Sequence, residues 1–151
     1  MQIPNDEYFS HVMQFLADRH TVKIPLKGYS MRPFLEDQRD YALLEPPKEP
    51  VINEPVLVQL PTGKWVLHRI IKIEGENLTL LGDGNIMPEH CRKSDIRASV
   101  KGFYRKGSSK LDSVKGSKWK AYSFFWTRLL PIRRYLLFVY SSFASKLAKL
   151  G

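Results

Sequence analysis

The chain has 151 residues, of which 43% are hydrophobic and 26% charged, a composition typical of one globular domain with its own core. Its single cysteine, Cys91, excludes an internal disulfide, and a domain of this length needs neither a disulfide nor a structural metal for stability. The net charge of +9 is unevenly distributed, because residues 1–100 hold 12 Lys and Arg against 14 Asp and Glu, whereas residues 101–151 hold 12 against the single Asp112. We therefore expect any anionic partner to bind the C-terminal third.

The N-terminal segment predicts a helix over residues 5–19. Asn5 followed by Asp6 and Glu7 is typical of a helix N-cap with an acidic first turn, and apolar residues then recur on one face. Acidic residues here stand where a secretory signal has its basic region, so we expect no export signal.

The region from residue 21 to residue 104 predicts a mainly antiparallel β structure. After β-type residues over 21–26, Gly28 and Pro33 place Ser30 at a strand-to-turn junction. Further strands are predicted over 41–44, 56–60, 64–73, 78–81 and 96–104. The turns that separate them predict two consecutive hairpins, and an irregular segment is expected over 87–93.

The C-terminal third predicts a linker followed by helices. Gly, Ser and Lys residues over 107–117 favour a polar linker, and Pro131 divides a basic, aromatic tail over 118–151 into two helices. After Pro131, apolar residues recur at helical spacing at Ile132, Leu136, Val139, Tyr140, Phe143, Leu147 and Leu150. Residues 1–106 then form the β domain with its leading helix.

Three blocks of sequence carry the candidate chemistry. They are Gly28-Tyr29-Ser30-Met31-Arg32-Pro33, Val66-Leu67-His68-Arg69-Ile70 and Leu81-Gly82-Asp83-Gly84-Asn85. In this order and at this spacing the chain resembles the signal peptidase family, in the branch where a His-Arg pair replaces the Lys-Arg pair. The resemblance covers residues 24–105. It implies an α+β, mainly β fold: a signal-peptidase-like antiparallel β domain, here with an N-terminal helix and a basic amphipathic helical tail.

The resemblance implies a serine endopeptidase that cleaves a signal, leader or precursor peptide through an acyl-enzyme. A serine hydroxyl needs an adjacent base, and imidazole serves near neutral pH without large tuning of its pKa. Ser30 is therefore predicted as the nucleophile and His68 as the general base. Asp83 is the first candidate for orienting the imidazole, and Asp95 is the alternative. The chain departs from many bacterial members at Gly28, where they have a serine that assists the oxyanion hole.

Two other functions stay open. The LexA and UmuD type of self-cleaving proteins shares the implied fold, although 27 residues before Gly28 are too few for a repressor domain and no Ala-Gly or Cys-Gly bond is present. The chain is alternatively a catalytically inactive, membrane-associated binding module. Glu89-His90-Cys91 holds three potential metal ligands, but adjacent residues of an extended chain point in different directions, so no metal or cofactor is expected.

The tail, residues 118–151, favours association with an anionic membrane surface, because half-buried rings and cations suit the headgroup region. The alternative is a pair of amphipathic helices that pack on the β domain or on a second copy. Nucleic acid is disfavoured as a partner, since no recognised binding motif is present. No apolar run reaches the ~20 residues of a membrane span. We expect peripheral attachment at the cytoplasmic face of a membrane or, alternatively, a cytoplasmic protein.

Overall fold

The computed structural model describes residues 5–26, 40–83, 87–129 and 132–150. The helices are α1 (Asn5–Ala17), α2 (Ser117–Arg128) and α3 (Arg133–Leu150), with a 3-10 turn at Lys93–Asp95. The strands are β1 (Val22–Pro25), β2 (Tyr41–Glu45), β3 (Pro55–Gln59), β4 (Trp65–Glu74), β5 (Asn77–Leu81), β6 (Glu89–Arg92), β7 (Ile96–Tyr104) and β8 (Asp112–Ser113).

The strands form one antiparallel sheet in the order β1-β2-β7-β3-β4-β5-β6, and β8 pairs with β7 beside this path. The predicted α+β class with a mainly antiparallel sheet is thereby confirmed. The two predicted hairpins are β3–β4, in which Val56 lies opposite His68, and β4–β5, in which Ile70 lies opposite Leu80.

Helix α1 ends two residues earlier than the predicted limit at residue 19. Arg19 adopts the left-handed conformation with φ 62°. Its N–H donates to the carbonyl oxygen of Leu16, and the N–H of His20 donates to that of Phe15. This hydrogen-bond pair is the Schellman motif, which satisfies the last carbonyls of a helix and turns the chain toward β1.

The expectation of an irregular segment over 87–93 was wrong, because residues 89–92 form β6. Thr79 of β5 lies opposite His90, and Leu78 lies opposite Cys91. A strand of four residues with one inward apolar side chain has too little alternation to be recognised from sequence. Strand β6 forms because its backbone hydrogen-bonds to the neighbouring β5.

The sheet is covered on one face by helices and has a second apolar cluster on the other. Val12 and Leu16 of α1 and Trp119 of α2 pack on the first face. The second cluster is composed of side chains from five strands: Val56, Val58, Val66, Ile70, Leu78, Leu80, Cys91 and Ile96. Because side chains alternate along a strand, β4 directs His68 to the second face and Arg69 to the first.

The segment predicted as a polar linker contributes to the sheet and to the core. β8 pairs with β7, where a Cβ on Gly102 would lie 2.6 Å from the carbonyl oxygen of Asp112, so only glycine fits at this pairing. Val114 is buried in the first cluster. Helix α2 follows directly, and its buried residues are Trp119, Ser123 and Trp126. The break between α2 and α3 agrees with the two helices predicted for the tail, and Pro131 lies outside the described residues.

Candidate functional site

Strand β4 holds His68 in the sheet with 3% of its surface exposed. Burial lowers the pKa of this imidazole below its usual 6.5, because the charged form loses hydration. The carboxylate of Glu89 opposes the effect, Lys64 strengthens it, and Asp83 opposes it more weakly. The imidazole is therefore neutral at neutral pH, which is the form that accepts a proton.

Ser30 belongs to residues 27–39, which lie outside the described residues in the connection between β1 and β2. Gly28 belongs to the same connection, and Gly84 and Asn85 of the third block also lie outside the described residues. The nucleophile thus stays a prediction from the sequence.

Asp83 follows β5 and is fully buried against Arg69 of β4. The guanidinium Nε donates to Oδ1 of Asp83 at 2.8 Å and Nη2 donates to Oδ2 at 2.7 Å, a bidentate pair. The hydroxyl of Tyr122 donates to the same Oδ2 at 2.8 Å. Both carboxylate oxygens are therefore used by Arg69 and α2, and the hydrogen bonds of the described residues do not join Asp83 to His68.

Helix α2 completes a buried enclosure around Arg69. Nη1 donates to the hydroxyl of Ser123 and, at 3.2 Å, to the carbonyl oxygen of Asn53. The guanidinium carbon lies 4.5 Å from the ring centre of Trp119 and 5.3 Å from that of Tyr122, within the range of cation–π attraction. The Arg of the His-Arg pair thus binds α2 to the sheet.

Asp95 ends the 3-10 turn after β6. Its Oδ2 accepts a hydrogen bond from the N–H of Arg92 at 2.8 Å, which caps this turn. Burial raises the pKa of the Cys91 thiol, and the charge of Asp95 raises it further. No hydrogen bond of the described residues links Asp95 to His68, so its orienting role also stays a prediction.

Glu89 is the carboxylate that lies close to the ring of His68. Nδ1 of His68 and Oε2 of Glu89 are 3.7 Å apart. Within the described residues, these are the two buried side-chain polar atoms that have no hydrogen-bond partner. A buried polar atom without a partner costs about 1–3 kcal/mol, so two such atoms facing each other are unusual in a folded protein.

The proximity of Glu89 to His68 was not predicted from the sequence, where Glu89 was considered only as a potential metal ligand. Its position depends on β6, because Glu89 pairs with Leu80, which pairs with Ile70 on the face that carries His68. Both the register between β4 and β5 and the register between β5 and β6 are needed to place the two residues together. A sequence-based prediction of β6 and of its pairing with β5 would have placed Glu89 near His68.

The neighbouring residues of β6 point in different directions, as the extended chain requires. Cys91 is buried in the second cluster, and burial raises the pKa of its thiol to about 11. His90 is exposed on the other face, where Nδ1 lies 3.4 Å from the hydroxyl of Thr79. Among the described residues, no three His, Cys, Asp or Glu side chains are grouped to hold a metal ion.

The two helices of the tail differ in exposure. Trp119 and Trp126 of α2 point into the protein, and Nε1 of Trp126 donates to the carbonyl oxygen of Asp83 at 3.1 Å. Helix α2 therefore packs on the β domain, as in the alternative considered for the tail. Helix α3 instead exposes a run of large apolar side chains at helical spacing, here called the α3 face: Tyr135, Phe138, Val139 and Phe143. In the described part of the chain, no helix has the length and hydropathy to span a bilayer.

Comparison of the sequence with protein-family models finds no match, and comparison with curated proteins finds no significant one. A functional assignment thus depends on the residues of the site and on the motifs of the sequence.

Proposed function

We propose that this protein is a serine endopeptidase that cleaves a signal, leader or precursor peptide through an acyl-enzyme. Ser30 acts as the nucleophile and His68 as the general base. The observation that carries the proposal is the state of His68: a buried imidazole on a central strand, with its pKa lowered, following the Gly-x-Ser-Met-x-Pro block along the chain.

A neutral imidazole suits the first step of this chemistry. As Ser30 Oγ attacks the scissile carbonyl, its proton passes to a ring nitrogen of His68, which then returns the proton to the leaving amine. Water, activated by the same ring, releases the acyl group. An imidazole with a lowered pKa remains unprotonated below neutral pH, so the base form is available over a wide range. The substrate is an extended peptide that binds along a strand edge.

The test is incubation of the protein with a library of precursor peptides, with products identified by mass spectrometry. Ser30→Ala and His68→Gln should each lower cleavage more than about a thousand-fold, as removal of a nucleophile or base does in serine peptidases. Ser108→Ala, in an exposed turn, is the matched control and should leave cleavage unchanged. Equal product from the wild type and Ser30→Ala would refute the peptidase. Intact mass of the protein alone reports self-cleavage, the LexA and UmuD alternative.

We also propose that the tail attaches the protein to an anionic membrane surface, at the cytoplasmic face, as a peripheral protein. The α3 face supports this, with Phe138 exposed over 73% and Phe143 over 62% of their surfaces. The segment that carries it, residues 101–151, holds 12 Lys and Arg and one acidic residue. The exposed rings can insert at the boundary between headgroups and acyl chains, and the excess of cations attracts anionic headgroups.

Flotation with vesicles of phosphatidylcholine, with and without phosphatidylserine, tests the attachment. Phe138→Ser with Phe143→Ser should abolish flotation, and added salt should weaken it in proportion to the anionic lipid. Phe15→Ser is the control, because Phe15 is also a largely exposed phenylalanine, at 57%, but lies on α1. Unchanged flotation of the double variant would refute the role of the α3 face. Sedimentation of the free protein reports the alternative, in which this face binds a second copy.

A further inference from the structure

The geometry points to Glu89 as the positioning residue that holds the imidazole of His68, in place of either aspartate suggested by the sequence. Its carboxylate accepts a hydrogen bond from Nδ1–H of His68, so that the Nε2 lone pair can take a proton from the nucleophile. The inference rests on the proposed peptidase function for its catalytic meaning. The pairing itself stands on the structure of the sheet.

The sheet register brings the two side chains to the same face. Glu89 of β6 lies opposite Leu80 of β5, and Leu80 lies opposite Ile70 of β4. His68 is two residues from Ile70 along β4 and therefore points to the same side. A glutamate side chain spans the remaining distance, which leaves Oε2 at 3.7 Å from Nδ1.

Each of these atoms lacks any other hydrogen-bond partner among the described residues. The separation of 3.7 Å exceeds a hydrogen bond by less than an ångström, and catalytic hydrogen bonds are commonly long until substrate is bound. A small rotation of the Glu89 side chain, which is 27% exposed, closes this gap.

The two aspartates predicted from the sequence accept hydrogen bonds from residues other than His68. Asp83 gives both oxygens to Arg69 and Tyr122. Asp95 caps the 3-10 turn through the N–H of Arg92. The charged groups that influence His68 are Glu89 from β6, Lys64 before β4 and Asp83 after β5, and of the carboxylates Glu89 acts most strongly.

A serine peptidase base needs a carboxylate on Nδ1 for two reasons. The hydrogen bond selects the tautomer with its proton on Nδ1, and the negative charge stabilises the imidazolium that forms as the serine attacks. Glu89 supplies both at His68. The side chain of Glu89 is one methylene longer than that of an aspartate. Glu89 lies on the edge strand β6 and not in the Gly-Asp block.

Histidine titration by NMR tests the pairing without any substrate. In the wild type, the nitrogen shifts of His68 should show the tautomer protonated on Nδ1, and this measurement requires no variant. Glu89→Gln should weaken proton binding at His68 several-fold, because it removes the nearest opposing charge. Glu74→Gln is the matched control, since Glu74 is exposed at the far end of β4, about 20 Å along the strand. The Nε2 tautomer in the wild type, or unchanged proton binding in Glu89→Gln, would overturn the pairing.

Peptide cleavage tests the catalytic consequence. Glu89→Gln should lower kcat by about ten- to a thousand-fold and move the acidic limb of the pH profile to lower pH, with KM little changed. A loss of kcat with no movement of that limb would indicate a merely structural role and would contradict the inference. Cleavage that persists in Ser30→Ala would refute the peptidase while leaving the NMR result intact, so the two failures are distinguishable.

Discussion

Because His68 is buried, its protonation affects the free energy of unfolding. Its pKa is lowered in the folded protein, so the unfolded chain binds a proton here at a pH where the folded chain does not. The free energy of unfolding should therefore fall as the pH drops below about 6.5, the ordinary pKa of histidine, and be insensitive to this residue above it.

Urea unfolding at a series of pH values measures this effect. Over the first pH unit below about 6.5, the wild type should lose up to about 1 kcal/mol more than His68→Gln, in which the titration is absent. His90→Gln, an exposed histidine on β6, is the control and should follow the wild type. Parallel stability curves for the wild type and His68→Gln would contradict the lowered pKa.

Cys91 gives a second prediction at the scale of one residue. The thiol has 6% of its surface exposed and a pKa of about 11, so reactive thiolate is scarce near neutral pH. We expect no alkylation of the folded protein under conditions that label it fully in urea. A cysteine placed in an exposed turn, Ser108→Cys with Cys91→Ala, should label at once. Rapid labelling of the folded wild type would show that β6 opens readily.

At the scale of elements, the ion pair between Arg69 and Asp83 joins β4 to the segment after β5, and both side chains hydrogen-bond to residues of α2. Asp83→Ala should lower the free energy of unfolding by about 3–5 kcal/mol, because it leaves a buried guanidinium without its counter-charge. Glu74→Ala removes the exposed partner of Lys72 and should cost less than about 1 kcal/mol. Urea unfolding measures both. Equal costs would mean that Arg69 gains access to water.

The apolar replacement Arg69→Met with Asp83→Leu distinguishes lost charge pairing from lost packing. Since both charges are then absent, the double variant should be more stable than Asp83→Ala alone. Its chain should retain α2 against the sheet through the buried Trp119 and Trp126. A double variant as unstable as the single one would show that the hydrogen bonds to Ser123 and Tyr122 dominate.

At the scale of the whole molecule, the C-terminal third contains β8 and α2, which contribute buried residues to the core, and α3, which exposes the α3 face. Removal of residues 130–151 should lower the free energy of unfolding by at most about 3 kcal/mol, since the α3 face is exposed and Leu136, Leu137 and Tyr140 are only half-buried. Removal of residues 107–151 should prevent stable folding. It deletes β8 together with Val114, Trp119 and Trp126 from the core, a loss of several kcal/mol.

Circular dichroism and urea unfolding of the two truncated chains check this division. The shorter chain also exposes Arg69 and Asp83 on the surface that α2 covers. A stable, cooperatively unfolding chain ending at residue 106 would support the domain boundary predicted from the sequence. It would contradict the integration of β8 and α2 into the core.

Regular elements with strong patterns were predictable. The long strands β4 and β7 and the hairpins around β4 follow from alternation and turn residues, and α1 follows from its apolar face. The short strands β6 and β8 were not predictable, because two to four residues contain too little pattern and form only where a neighbouring strand offers hydrogen bonds. Arg19 also ended α1 early through a conformation that sequence rarely reveals.

The antiparallel β class, the leading helix, the basic and aromatic tail, and the strand that holds His68 and Arg69 were predictable from local sequence patterns. These properties are local, because they depend on the spacing of residues along one stretch of chain. The pairing of Asp83 with Arg69, the inward packing of α2 and the position of Glu89 beside His68 became known from the three-dimensional structure. Those contacts join residues far apart in the chain, so they depend on register and on the burial of charge, which no single segment encodes.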